Sequence, residues 1–470
     1  MSCPEPSPRH NTGETTTVKS PSPPNPALAR LRLWAMRTAL APLVRRSLAA
    51  LSLAAVAAAA PAATLTIACG SSGSELEFCK RHADAWARQH GHSVRTFSPP
   101  NNGTEALALY RQLFAAKSAD IDVLLIDVVW PGIIKDHLLD LKPYSQGVER
   151  EHFPALIANN TVAGRLLGIP WYTDTGLLYY RTDLLQKYGL KPPDTWADLT
   201  AAAARVQAGE RAAGHADFFG FVFQAKAYEG LSCNALEWIA SHGGGSLIDA
   251  AGNITVNNPA AARALNLAAS WVGTISPVGV LNYGEEDARG VFQNGRALFM
   301  RNWPYAWAPA QAADSLIKGK VGVVALPSGV ADGGGAVAGV GPVSHAGTLG
   351  GWQLAVSRYS REPAAAASLV LHMTSAAVQK DRAVNGAFNP SRPALYLDPE
   401  IIAANPFMAS LAGILGAAVA RPSGLAGIKY PAVSLAFWDA THDVLSKKTT
   451  GEAAVRKLEG KLKLVRREQW

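Results

Sequence analysis

Short apolar runs alternate with segments of helical period in the first third of the folded region. Residues 64–69 and 121–126 are nearly continuous apolar runs, a pattern typical of strands in the buried centre of a parallel sheet. Residues 93–97 predict a third strand, and apolar positions at helical spacing predict helices from Ser74 to Gly91 and over 104–117. This β-α-β-α-β order predicts an α/β fold with a doubly wound sheet.

Local signals define the ends of several elements. Ser74 and Glu77 have the spacing of a capping box, and Trp130-Pro131 is expected to begin a helix after the strand that Asp127 terminates. Thr173-Asp174-Thr175 reads as a short polar joint between two strands, of the kind expected where a chain crosses between lobes. The same alternation continues beyond it, with strands predicted at 220–224, 297–300, 321–326 and 353–357 and helices from Thr195, over 231–242 and after Asn258.

Three aromatic rings fall within five residues in the segment Arg301-Asn302-Trp303-Pro304-Tyr305-Ala306-Trp307. The preceding strand ends here, and Pro304 suits the first position of a helix. Flat rings at the carboxyl end of a strand suit a concave small-molecule site. Aromatic clusters also commonly fill a core, so this segment taken alone leaves both interpretations open.

Charge and composition indicate a globular protein without a nucleic acid partner. The chain has 48% hydrophobic and 17% charged residues, which is typical of a globular protein. The formal charge of +8 is concentrated at the N-terminus, where residues 1–63 hold seven basic and two acidic side chains. Apart from the terminal run 461–467, no basic stripe is present, so no nucleic acid partner is expected.

The N-terminus predicts export. Residues 1–35, rich in Pro, Ser and Thr, are interpreted as a disordered lead or as a misassigned start. Residues 36–63 combine arginines, an Ala/Leu-rich apolar run and small residues near Pro61, which predicts a signal peptide. The alternative, a membrane anchor, is disfavoured because the apolar run is short for a bilayer.

The cysteines and histidines predict no metal site or cofactor. Cys69 and Cys79 could form a disulfide in an oxidising compartment, which would leave Cys233 unpaired, but the sequence leaves this pairing open. The eleven histidines show no metal-binding spacing.

Two carboxylates fall at predicted strand ends. Glu75 and Asp127 would lie at one edge of the sheet, where ligands bind in open α/β folds. Each also has a purely structural interpretation, since Asp127 could cap a helix and Glu75 could interact only with a helix dipole. Asp174 could likewise be an ordinary turn residue.

Several segments together resemble bacterial extracellular sugar-binding proteins of ABC importers, in particular the trehalose/maltose (α-glucoside)-binding branch. The resemblance covers nearly all of residues 64–465 and rests on these segments: Tyr172-Thr173-Asp174-Thr175-Gly176-Leu177-Leu178-Tyr179-Tyr180, Trp303-Pro304-Tyr305-Ala306-Trp307, Leu349-Gly350-Gly351-Trp352, Glu229-Gly230-Leu231 and Arg421-Pro422.

The resemblance implies a two-lobed periplasmic binding protein fold (a Venus flytrap) that closes on its ligand. Each lobe is expected to be discontinuous, with three hinge crossings near 173–175, 323–326 and 386–391. The N-terminal lobe would comprise residues 64–173 plus 325–388, and the C-terminal lobe residues 174–324 plus 389–470.

Position by position, the resemblance also implies a substrate-binding site. Its expected members are Glu75, Asp127, Tyr172, Asp174, Trp303, Tyr305, Gly351, Trp352 and Arg421. These residue types suit a sugar, because carboxylates accept from adjacent hydroxyls and indoles cover C–H faces. One departure concerns Thr104-Glu105-Ala106-Leu107-Ala108, where relatives carry paired arginines after the Thr-Glu, which puts the exact disaccharide in doubt.

The function expected from this resemblance is that of a periplasmic, non-enzymatic binding component. It would capture an α-linked disaccharide such as trehalose, maltose or sucrose as a monomer, and present it to the permease subunits of an importer with a cytoplasmic ATPase. The alternative is a secreted glycoside hydrolase with paired carboxylates. Neither Glu75 nor Asp127 has an obvious apolar setting that would raise its pKa into the range of a general acid, which argues against the hydrolase. A role with a chemoreceptor could coexist with transport.

Overall fold

The computed structural model describes residues 62–70, 72–329, 344–416 and 418–470. The predicted lead and almost all of the predicted signal peptide therefore lie outside the described residues. Within the described part, no helix combines the length and hydropathy that crossing a membrane requires.

Helices and strands alternate through the described residues, as the hydrophobic pattern predicts. The strands are β1 (Thr64–Ala68), β2 (Ser93–Phe97), β3 (Val123–Asp127), β4 (Thr161–Val162), β5 (Arg165–Leu166), β6 (Ile169–Thr175), β7 (Leu177–Arg181), β8 (Phe219–Val222), β9 (Ala297–Asn302), β10 (Val321–Ala325) and β11 (Leu349–Val356). The α-helices are α1 (Glu75–His90), α2 (Gly103–Ala115), α3 (Pro154–Asn160), α4 (Thr182–Lys187), α5 (Trp196–Ala212), α6 (Glu229–Ser241), α7 (Pro259–Trp271), α8 (Glu285–Gln293), α9 (Trp307–Ala310), α10 (Pro363–Met373), α11 (Ala376–Gly386), α12 (Pro399–Ala404), α13 (Met408–Gly416), α14 (Ser423–Ala426), α15 (Tyr430–Leu445) and α16 (Gly451–Arg466). Short 3₁₀ helices lie at Lys135–His137, Val148–Glu151, Val278–Asn282, Pro304–Ala306, Pro393–Leu397 and Gly427–Lys429.

Two sheets organise the molecule. The first has the strand order β2-β1-β3-β11-β6, and the second has the order β10-β7-β9-β8. In the first sheet, β1 runs parallel to both β2 and β3, which confirms the β-α-β-α-β prediction. Strand β11 inserts antiparallel between β3 and β6, so it connects the two halves of this sheet.

The chain passes between the sheets at few points. Strand β6 belongs to the first sheet and β7 to the second, and Gly176 alone separates them. The chain returns between β10 and β11, and part of that connection, residues 330–343, lies outside the described residues. After α11, which packs on α1, the segment from Tyr396 to Leu411 joins the cluster that contains β7 and β9 side chains.

The polar triplet before Gly176 differs from the sequence prediction. Thr173, Asp174 and Thr175 are strand residues rather than a joint, because they pair with Gly351, Gly350 and Leu349 of β11. The backbone hydrogen bonds of β11 extend β6 up to Gly176.

Two predicted helix starts also require correction. Helix α1 begins after Ser74 as expected, but the Ser74 side chain makes no capping hydrogen bond. No helix begins at Trp130-Pro131, where the described chain forms turns before the 3₁₀ helix Lys135–His137. By contrast, the capping box at Thr195 is complete, and the Asn258 side chain caps α7, whose first residue is Pro259.

Cys69 and Cys79 form a disulfide between the end of β1 and α1. The bond spans the turn that leads into the predicted site residue Glu75. Cys233, in α6, is a buried free thiol. The structure thereby answers the pairing question that the sequence leaves open.

Candidate functional site

The aromatic segment 301–307 leaves β9 in a rigidly held turn. The Tyr179 hydroxyl donates to the carbonyl oxygens of Trp303 (2.8 Å) and Pro304 (3.0 Å). The Arg301 guanidinium lies 3.9 Å from the centre of the Trp303 ring and forms a buried ion pair with Glu237. Pro304 begins a 3₁₀ turn, as its fixed φ favours. Trp303 and Tyr305, on either side of Pro304 in this turn, line the same cavity.

Both sheets contribute to a cavity of about 230 Å³. The predicted site residues that line it are Asp127, Tyr172, Asp174, Trp303, Tyr305, Gly351, Trp352 and Arg421. Strands β3, β6 and β11 carry those of the first sheet, whereas Trp303 and Tyr305 follow β9 of the second. Trp307 points elsewhere and packs against Phe407, with ring centres 5.3 Å apart.

Glu75 lies behind this cavity rather than at its surface. Its side chain is buried, and its Oε1 accepts a hydrogen bond from the Tyr172 hydroxyl at 2.9 Å. Tyr172 lines the cavity, so Glu75 orients a lining residue in this structure.

Strand β11 brings Trp352 beside Asp127. Trp352 pairs in register with Asp127 of β3 and with Tyr172 of β6, and its ring contacts Trp130 edge-on at 5.6 Å. Gly351 has a φ of +127°, and a Cβ atom there would approach the carbonyl oxygen of Tyr172 to 2.7 Å. Only glycine fits this position without strain, because it lacks a side chain.

Arg421 connects carboxylates on the two sides of the cavity. Its Nη1 donates to Glu229 Oε1 at 2.7 Å and its Nη2 to Asp127 Oδ1 at 3.3 Å. Glu229 also accepts from the hydroxyls of Tyr430 (2.5 Å) and Ser434 (2.6 Å). Part of the Arg421 fork is therefore engaged by the protein itself in this structure.

The predicted set omits several lining residues. Glu229 appears among the segments of the resemblance but not in that set, although it begins α6 at the cavity. The first turn of α8 contributes Glu285, Glu286 and Asp287. Three successive acidic residues after a glycine signal a helix N-terminus, and nothing in that pattern alone shows that the helix end opens onto a cavity.

Hydroxyl and indole donors hold the α8 carboxylates. Glu285 accepts from the Tyr228 hydroxyl (2.6 Å) and from the Trp303 indole nitrogen (3.4 Å). Glu286 accepts from the Tyr305 hydroxyl at 2.6 Å and pairs with Arg289. These bonds fix both predicted aromatic residues at the cavity wall.

Asp174 differs from the other lining carboxylates. It is 7% exposed and has no hydrogen-bond or ion-pair partner among the described residues. Burial, followed by the nearby Glu75 charge, raises the pKa of Asp174 to about 7. Its oxygens are consequently available to a ligand in the cavity.

Burial also raises the pKa of Glu75 and of Asp127, against the lowering effects of Arg382 and Arg421 respectively. The expectation that neither carboxylate has an apolar setting is therefore wrong, because burial is the main cause of both raised pKa values. The enclosing apolar residues come from distant segments, which a sequence does not show as neighbours.

The segment 104–108, where this sequence departs from the related proteins, contacts residues on the other side of the cavity. The Glu229 N–H donates to Thr104 Oγ1 at 3.3 Å, and Lys226 Nζ lies 3.8 Å from Glu105 Oε1.

Within the described residues, no group of three or more His, Cys, Asp or Glu side chains is arranged to hold a metal ion.

Comparison with known proteins gives a consistent result. The bacterial extracellular solute-binding protein family matches residues 72–380. A probable ABC transporter-binding protein of Deinococcus radiodurans is 49% identical over 411 residues, which cover 87% of this chain and 95% of that protein.

Solved structures share the fold. Maltose-bound T. maritima MalE3 is 38% identical, covers 86% of this chain and all of its own, and superposes with a TM-score of 0.79. The GacH receptor of Streptomyces glaucescens, solved without ligand and with acarbose, is 22% identical with a TM-score of 0.75, over 87% of this chain and all of its own. These likenesses confirm the predicted two-lobed periplasmic binding protein fold.

Proposed function

This chain belongs to the bacterial extracellular solute-binding protein family and is a substrate-binding component of an ABC transporter for sugars or polyols. Within that class of ligands, we propose that it captures an α-glucoside disaccharide. Trehalose, maltose and sucrose are the compounds of this class that we consider. The disaccharide would be held between the lobes and delivered to the permease subunits of an importer that a cytoplasmic ATPase drives. We further propose that the protein works as a monomer in the periplasm after cleavage of its signal peptide.

The cavity itself is the observation that carries this proposal. Two indoles, Trp303 and Trp352, line it together with carboxylates of β3, β6, α6 and α8. A sugar presents apolar C–H faces and many hydroxyl donors, which match flat rings and acceptor-only carboxylates respectively. The Asp174 carboxylate, which makes no hydrogen bond to any described residue, supplies acceptor oxygens for such hydroxyls.

The charge of the lining disfavours an anionic ligand. Six carboxylates line the cavity (Asp127, Asp174, Glu229, Glu285, Glu286 and Asp287), against the two cations Lys226 and Arg421. An anionic solute such as a sugar phosphate would be repelled by this excess of negative charge. A neutral saccharide would not.

We propose Asp127, Tyr172, Asp174, Trp303, Tyr305, Gly351, Trp352 and Arg421 as the substrate-binding set, with Glu75 acting through its hydrogen bond to Tyr172, and add Glu229 and Glu285. Ligand would stabilise the closed arrangement, since only that arrangement contacts the sugar from both sides. The lobes are proposed to divide as residues 64–173 plus 325–388 and residues 174–324 plus 389–470.

A hydrolase remains chemically conceivable because Asp174 has a pKa near 7, in the range of a general acid. The family and the fold are those of solute-binding proteins, which favours binding without turnover. Incubation of the protein with maltose, trehalose or sucrose, followed by chromatography of the released sugar, tests this directly. Recovery of intact disaccharide supports the proposal, and release of glucose would overturn it.

A further inference from the structure

Arg382, in α11, is a buried charge that makes no hydrogen bond. Its side chain is 1% exposed, and none of its three guanidinium nitrogens has a hydrogen-bond partner within the described structure. Buried charges are ordinarily paired and hydrogen-bonded, because desolvation otherwise costs several kcal/mol. The burial of Arg382 therefore needs an explanation other than stabilisation of the fold.

Aromatic rings enclose the guanidinium. Its central carbon lies 3.6 Å from the ring centre of Trp171, 4.4 Å from that of Phe388 and 4.8 Å from that of Tyr172. Cation–π attraction strengthens when water is excluded, as it is here. Tyr172 and Phe388 also line the ligand cavity, so Arg382 supports two of its walls from behind.

The nearest carboxylate oxygen to Arg382 is Glu75 Oε1, at 4.0 Å. Burial lowers the pKa of Arg382 to about 10, while Glu75 acts to raise it, so the group is positively charged at neutral pH. The ionisable groups that interact electrostatically with Arg382 are Glu75, Tyr172, Asp174, Asp381 and His82.

Asp174 is the charge in this set that reaches the cavity. The ionisable groups around it are Glu75 of α1, Arg382 of α11, Arg301 of β9, Asp127 of β3, and the phenols of Tyr172, Tyr179 and Tyr396. Two cations, Arg382 and Arg301, act to lower the pKa of Asp174 against burial and the Glu75 charge, and Arg382 has the larger effect.

We propose that Arg382 is a positioning residue for ligand binding: without contacting the sugar, its buried positive charge acts on the carboxylates behind the cavity wall, and its stack holds Tyr172 at that wall. This inference rests on the proposed function, because it assigns how that site is tuned.

Proton linkage follows from this arrangement. Sugar hydroxyls donate to the ionised carboxylate, so binding favours loss of the proton that Asp174 carries below a pH of about 7. Affinity consequently rises as the pH increases through about 7 and levels off above it. Glu75 and Asp174 titrate as an interacting pair, and removal of a neighbouring positive charge raises both of their apparent pKa values.

The test is a calorimetric titration of the full-length protein with maltose between pH 5.5 and 8.5. Wild type is expected to gain affinity with increasing pH, and Arg382→Met is expected to move the midpoint of that rise upward by at least about half a pH unit. The matched control is Arg81→Met, which removes the same charge from a half-exposed position beside Asp381 on the same pair of helices. Its midpoint should equal that of wild type.

A second variant keeps the test decisive if Arg382→Met fails to fold. Arg382→Gln removes the same charge with a polar side chain, and its midpoint should likewise move to higher pH, whereas Glu75→Gln removes a negative charge beside Asp174 and should move the midpoint to lower pH. An unchanged midpoint in the folded variants, or an equal shift in Arg81→Met, would overturn the role of Arg382. Failure of wild type to bind any sugar would instead overturn the proposed function.

Discussion

Trp303 is held at the cavity by separate contacts to its backbone and to its ring. Tyr179 donates to its carbonyl oxygen, Glu285 accepts from its indole nitrogen, and the Arg301 guanidinium covers one ring face. A preorganised ring costs little conformational entropy when a ligand stacks on it. We therefore assign Trp303 the largest single contribution to sugar affinity.

Trp303→Ala should weaken sugar binding by roughly 30-fold to 1,000-fold, the loss expected for an aromatic anchor worth about 2–4 kcal/mol. Calorimetry measures the loss, and the far-UV circular dichroism spectrum should be retained. Trp307→Ala is the matched control, because Trp307 packs on Phe407 outside the cavity. It should lower the melting temperature and leave affinity within a few-fold; an equal affinity loss in both variants would contradict the assignment.

Asp127, at the end of β3, lines the cavity and also bonds to neighbouring protein groups. Its Oδ1 accepts from the Val129 N–H at 3.0 Å and from Arg421. The interpretation of Asp127 as a helix cap is therefore wrong, because its bond to Val129 closes a turn and no helix begins at Trp130.

Asp127→Asn should keep the turn and weaken sugar binding by about tenfold, because the amide retains one acceptor oxygen but loses the charge. Asp127→Ala should also lower the melting temperature, since the buried Val129 N–H then lacks its partner. Thermal melts and titrations of both variants separate the two roles. A strongly destabilised Asp127→Asn with normal affinity would show that the residue is structural only.

At the scale of elements, β11 determines where the site forms. It places Trp352 between Asp127 and Tyr172, extends β6 up to Gly176, and requires the positive φ of Gly351. The sequence predicts the strand and its aromatic residue. It does not reveal the antiparallel insertion between β3 and β6, because pairing partners more than 170 residues apart leave no local pattern.

Gly351→Ala tests this element. The new Cβ would meet backbone atoms of β6 at 2.7 Å and 2.9 Å, and the φ of +127° is unfavourable for alanine. We expect a loss of about 1–3 kcal/mol in the free energy of unfolding and a weakened sugar affinity. Gly424→Ala is the control, because a Cβ there meets nothing within 4 Å. Equal stabilities of the two variants by chemical denaturation would refute the strain argument.

Sequence reasoning succeeds where the signal is local and fails where it is tertiary. The strands of the first sheet, the Thr195 cap and the segment 301–307 follow from short patterns, and eight of the nine predicted site residues line one cavity. The sequence singles out neither Glu285, which lines the cavity, nor Arg382, which lies behind its wall, because only the fold brings their helices to these places. The raised pKa values were likewise missed, since burial is a property of the assembled lobes.

At the scale of the whole molecule, a buried histidine joins two segments that are distant in sequence, the one before α3 and the one after α11. His152 exchanges a hydrogen bond with Ser391 Oγ across 2.9 Å, and its Nε2 is buried without a partner in the described structure. Burial, together with the nearby Arg392 charge, lowers the pKa of His152 to about 3.

This shift predicts a pH dependence of stability. Between pH 6.5 and 3 the unfolded chain binds a proton at His152 that the folded protein does not, so stability falls as the pH falls. From pH 6.5 to 5 the contribution is up to about 2 kcal/mol. The buried carboxylates oppose this slope, so the measurement is the difference between wild type and His152→Gln in urea denaturation. A difference that stays constant with pH would contradict the assignment.

The central claim is that the interlobe cavity binds an intact, neutral α-glucoside. Calorimetric titration of residues 64–470 with trehalose, maltose and sucrose, with mannitol and glucose 6-phosphate for comparison, tests it most directly. We predict saturable binding at one site for at least one of the three disaccharides, with weaker binding of mannitol and none of the phosphate. Preferential binding of mannitol or of the phosphate, or heat from continuous turnover of a disaccharide, would contradict the account.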